Sequence, residues 1–163
     1  YPYATYRCFI SSGELVRDPQ DQLLVVKNRF PSKETTAIVT FNFDSSVKGR
    51  TCKLLFDLWD RDVSTGSQTV DVFSVINPPD PDSTEISASS RKLALALMQS
   101  RNQQMGRIHV TAPGEADWVM SFHEMPEFPC PAGQLMGLEF VGVGDAVTLR
   151  WDIGVTGPRV KVL

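Results

Sequence analysis

Two runs of period-two alternation, joined by a short polar bend, constrain this chain more than any other feature. Ala37, Val39, Phe41 and Phe43 alternate with Thr36, Thr40 and Asn42, and beyond the bend Cys52, Leu54, Phe56 and Leu58 alternate with Lys53, Asp57 and Trp59. Successive side chains of a strand point to opposite faces, so each run is expected to be a strand with one apolar face. Asp44-Ser45-Ser46 supplies side-chain-capped bends and Lys48-Gly49 a permissive backbone, so residues 36–59 are expected to reverse as a hairpin. A hairpin with one apolar face is marginal alone and needs a second sheet to cover it.

The remainder of the chain repeats this pattern in shorter pieces. Apolar or alternating runs at residues 4–10, 23–26, 69–76, 107–111, 118–122, 135–141 and 146–153 are separated by clusters of Gly, Pro, Ser and Asp, and residues 160–163 can add an edge. Val70 and Val72 fall on one face of their run, with Phe73 and Val75 on the other; Val147, Leu149, Trp151 and Ile153 share an inward register. Residues 60–66 are expected to be a polar loop, and Asn77-Pro78-Pro79-Asp80-Pro81-Asp82 a crossover, because proline lacks the donor a strand ladder needs. Residues 91–104, RKLALALMQSRNQQ, are rich in helix formers, with Ser89 or Ser90 as caps and Gly106 as a stop. They predict a short helix, although Leu93, Leu95 and Leu97 also alternate as in a strand. About eight short strands spaced by turn signals predict a single all-β domain over residues 1–163, a two-sheet antiparallel β-sandwich.

Composition narrows the function classes. At 163 residues, 42% hydrophobic and 21% charged, the chain is large enough for one core of its own. A net charge of -3, with scattered Lys and Arg, argues against a nucleic-acid or anionic-membrane surface. No apolar run approaches the roughly 20 residues of a membrane helix. Cys8, Cys52 and Cys130 are too far apart for a metal motif, so their arithmetic suggests one disulfide and one spare thiol.

The segments FNFDSSVKGRTCKLLFDL, FPCPAGQLMGLEF and RWDIG resemble the fungal But-two C-terminal domain family, named for a protein reported to bind an activating enzyme of the ubiquitin-like system. Gly49-x-x-Cys52, Cys130-Pro131-Ala132-Gly133 and Ala112-Pro113-Gly114 carry the likeness. The resemblance implies a β-sandwich that is secreted or attached to the fungal surface, and a bond between Cys52 and Cys130 that leaves Cys8 unpaired. It transfers no catalytic residues.

Candidate chemistry is sparse. His123-Glu124-Met125-Pro126-Glu127 lacks the second histidine of a zinc helix, and Pro126 would break that helix. Asp60-x-Asp62-x-Ser64 imitates the start of a calcium loop, with Asp57 and Asp71 as further carboxylates, but its glycine falls one place late at Gly66. Gly142-x-Gly144 lacks the third glycine of a phosphate cradle and is expected to be a turn. No metal or cofactor is expected. Trp151 belongs to the core, whereas Trp59, beside Asp57, Asp60 and Asp62, and Trp118, just after a turn, are the candidates for stacking on a sugar ring or a partner side chain. Together with the resemblance, which implies the extracellular or cell-wall location, these features predict a non-enzymatic binding module for a polysaccharide or a protein partner. The competing readings are an intracellular adaptor for a ubiquitin-like pathway protein and a small hydrolase or isomerase with His109 or His123 as base.

Overall fold

The computed structural model describes residues 1–30, 33–80 and 101–163, and its regular structure is almost entirely strand. In chain order these are β1 (Ala4–Phe9), β2 (Glu14–Arg17), β3 (Val25–Lys27), β4 (Thr35–Asn42), β5 (Thr51–Leu58), β6 (Val63–Gly66) and β7 (Thr69–Val75). There follow β8 (Arg101–His109), β9 (Gly114–Glu115), β10 (Asp117–Ser121), β11 (Glu127–Pro129), β12 (Leu135–Gly142), β13 (Val147–Arg150) and β14 (Gly157–Val162). They form two antiparallel sheets, as expected for an all-β sandwich, from more and shorter strands than the turn signals suggested. The larger sheet runs β10-β8-β7-β12-β4-β3-β13-β6, with β1 on the other side of β4 and β2 beyond it. It curls strongly, so that one side of β4 pairs β12 over Ala37 to Asn42 and β3 at Thr35. The smaller sheet centres on β5, flanked by β14 on one side and by β11 and β9 on the other.

The two alternating runs that dominate the sequence do not form a hairpin. β4 belongs to the larger sheet and β5 to the smaller one, and their apolar rows meet face to face in one core. The connection explains the difference. Asp44 accepts from the Ser46 N–H at 3.3 Å and opens a short 3-10 turn at Ser45–Val47, and Gly49 follows with φ of 78°. That span carries the chain from one sheet to the other, where a tight two-residue turn would have paired the strands. Phe56, Phe140 and Trp151 meet edge-on at the centre, with ring centroids 5.3 to 6.3 Å apart.

Two further expectations are corrected. Residues 63–66, taken as loop, form β6 against β13, because Val63 to Gly66 find a partner edge in Arg150 to Val147. Arg101 to Gln104, the end of the expected helix, are strand, paired with Val75 and Phe73 of β7; residues 91–100 lie outside the described residues. Helix propensity there yields to a ladder whose partner is distant in sequence.

Cys52 and Cys130 form a disulfide. It joins β5 to the residue after β11, its neighbour in the same sheet, and so does not tie the two sheets across the core. A smaller cluster lies on the opposite face of the larger sheet, where Tyr6, Cys8, Ile38 and Val75 are buried. Beside it Glu139, only 1% exposed, receives Arg101 at 2.6 Å and the Thr36 hydroxyl at 2.8 Å. An ionised carboxylate stays buried only when compensated in this way.

Candidate functional site

β5 ends at Leu58, and the next four residues close a turn that presents Trp59. The Trp59 N–H donates to Asp62 Oδ2 at 2.7 Å, and the Asp62 N–H returns to the Trp59 carbonyl at 3.0 Å. Asp62 is buried and spends its carboxylate on this turn, leaving Trp59, Asp60 and Arg61 exposed at its tip. The Arg61 guanidinium lies over the Trp59 ring, 4.9 Å from its centroid, and is held there by Asp152 at 2.7 Å. Arg150 donates to the Arg61 carbonyl at 2.7 Å, which fixes the turn from below. A guanidinium stacked on indole is attracted by the ring's negative face, and the ion pair sets its orientation.

Trp59, Asp60, Arg61 and Pro113 line an open pocket of about 430 Å³. Pro113 arrives from the segment between β8 and β9, which β9 docks against Asp57 and Leu58 at the end of β5. The pocket thus combines an indole that is 47% exposed and a pyrrolidine ring with one carboxylate and one guanidinium. Opposite charges at one opening suit a ligand that both donates and accepts, such as vicinal hydroxyls, while the rings take an apolar face.

The remaining sequence candidates lie elsewhere. Asp57 points out of the smaller sheet and is paired with Arg159 at 2.8 Å. Asp71 holds Arg107 at 2.7 Å and Gln104 at 2.9 Å, and this carboxylate raises the Arg107 pKa further. Of the candidate calcium carboxylates, Asp57, Asp62 and Asp71 are therefore committed to separate partners, and among the described residues no three His, Cys, Asp or Glu side chains converge. Trp118 is partly buried, packs on the main core and does not line the Trp59 pocket. His109 ends β8 between Thr69 and Asp117, His123 is exposed in the turn after β10, and neither reaches this pocket.

Arg61, Pro113 and Asp152 are the members of the site that the sequence did not single out. Arg61 was visible between two aspartates, but nothing local connects it to Asp152 or brings Pro113 to Trp59. No known family model matches the chain, and no curated protein matches it in sequence.

Proposed function

We propose that this chain is a non-enzymatic recognition module that works outside the cell, on a fungal surface or wall as its likeness to the But-two C-terminal domain family implies. Its ligand binds at the Trp59 corner. The observation that carries this reading is the half-exposed Trp59, immobilised by Asp62 and Arg61 at the mouth of a pocket that also offers Asp60 and Pro113. An aromatic ring held in one orientation at an opening offers a stacking face at little cost in conformational entropy. The pocket is small and balanced in charge, which favours a neutral polysaccharide over a protein partner; a protein partner would need roughly 800 Å² of matching surface. The Cys52–Cys130 bond favours an oxidising compartment over the intracellular adaptor reading. The hydrolase reading assigned the base to His109 or His123, and neither lines this pocket.

The test is retention on insoluble glucan and chitin. Trp59→Ala should bind at least about tenfold more weakly than the parent, while melting at a similar temperature because the ring packs mostly at the surface. Equal retention of parent and variant, or no retention of the parent on either polymer, would remove the corner as a polysaccharide site.

A further inference from the structure

The Trp59 corner is gripped from one place in the larger sheet, the end of β13. The chain leaves that strand at Arg150, passes through Trp151 and reaches Asp152. Trp151 is buried and packs edge-on against Phe56 and Phe140, while its two neighbours both reach Arg61. Arg150 donates to the Arg61 carbonyl, and Asp152 receives the Arg61 guanidinium, each at 2.7 Å. The backbone of Asp152 is fixed as well. Its N–H donates to the hydroxyl of buried Thr156 at 2.9 Å, and its carbonyl accepts from the N–H groups of Val155 and Thr156, both at 2.9 Å. The carboxylate takes no part in that turn; Arg61 is its partner.

Asp152 does not line the pocket, whereas Arg61 does. An arginine side chain has many rotamers, and fixing one of them over a ring costs entropy when a ligand arrives unless the order already exists. Asp152 imposes that order beforehand. It engages Nη2 and leaves the rest of the N–H fork for a ligand's hydroxyls, and it balances the guanidinium charge, which suits a ligand with no charge of its own. Arg150 holds the backbone of the turn and with it Trp59 and Asp60; Asp152 acts on the guanidinium alone. We propose, on the reading of this corner as a saccharide site, that Asp152 is its positioning residue: it touches no ligand, yet by orienting Arg61 on the indole it sets how tightly an uncharged saccharide binds. The pair is partly exposed, 55% at Arg61 and 39% at Asp152, so its effect is a modest factor rather than an all-or-none one.

The experiment titrates the whole protein with soluble hexasaccharides of β-glucan and of chitin by calorimetry, and records the Arg61 side-chain resonances without ligand. In the parent, the indole ring current should move the Arg61 protons upfield. In Asp152→Ala they should return towards their ordinary positions, with the melting temperature little changed because backbone groups and Thr156 make the turn. Whichever hexasaccharide the parent binds should bind Asp152→Ala about three- to fivefold more weakly, and Asp152→Glu, which keeps the carboxylate, should recover part of the loss. In an Arg61→Ala background, Asp152→Ala should cost nothing further, since a residue that acts only through Arg61 then has nothing to position. Equal binding by parent and Asp152→Ala, Arg61 resonances that do not move, or a further loss in the Arg61→Ala background would overturn the positioning role and leave the saccharide site standing. A parent that binds neither hexasaccharide removes the site itself, and the role of Asp152 with it. If Asp152→Ala melts markedly lower, Arg61→Lys makes the same comparison: an ammonium without the planar fork should bind the saccharide as weakly, and parent-like binding would overturn the role.

Discussion

Cys8 shows how one residue's chemistry follows from its surroundings. It is buried and free, in the small cluster behind the larger sheet, and its thiol pKa is pushed up to about 11 from an ordinary 9.0. Burial is the main cause and the Glu139 charge the next, with the Thr36 hydroxyl and Arg101 pulling weakly the other way. The thiolate is the reactive form, so folded protein should resist alkylation at mildly alkaline pH until it is unfolded. Linkage has a definite sign here. Below 9.0 both folded and unfolded chains keep the proton and the preference for folding is fully present; between 9.0 and about 11 the unfolded chain releases it first and stability falls. Denaturant melts at pH values on either side of this window should show a smaller alkaline loss in Cys8→Ala than in the parent. An identical loss would show that Cys8 does not titrate in this way. Asp62 is a second residue whose role comes from its partners: from sequence it was a candidate ligand, and in the structure it closes the turn that displays Trp59.

Among the elements, the β8–β10 pair depends on a close approach. A Cβ on Gly106 would lie 2.5 Å from both the Trp118 ring and the Met120 carbonyl oxygen. Gly106→Ala should therefore displace Trp118 or part β10 from β8, at roughly 1–3 kcal/mol, a range typical of overpacking. Chemical denaturation would measure the loss, and a change in Trp118 fluorescence would locate it; an unperturbed, equally stable variant would show that the pair has slack. From sequence, Gly106 was expected to stop a helix. The period-two pattern correctly marked which side chains of β4, β5, β7 and β13 enter a core, but not that β4 and β5 lie in different sheets. Alternation reports the face of a strand and is silent about its partner, which the geometry of the connection selects.

At the scale of the whole molecule, the disulfide closes a loop of 78 positions that leaves the smaller sheet at β5, passes through β6, β7, β8 and β10 of the larger sheet, and returns after β11. The chain-entropy account assigns such a loop roughly 4.5 kcal/mol, an upper figure, against the ~5–15 kcal/mol net stability of an ordinary domain. Reduction should lower the melting temperature by up to about 9–18 °C, on the rough scale of about 2–4 °C per kcal/mol for a domain of this size. Calorimetry with and without reductant checks this, and a melting temperature unchanged by complete reduction would show that the loop is already restrained without the bond.

By itself, the sequence determined the all-β class, the inward and outward faces of the main strands, and Trp59 as a candidate for exposure. Those follow from local periodicity and turn chemistry, which a linear chain carries in full. The tertiary structure decided the arch between β4 and β5 and the meeting of Trp59 with Arg61, Asp152 and Pro113. Each of these depends on which distant strands pair, and long-range pairing is settled by burial and ladder formation over the whole chain, of which no single stretch holds more than one half.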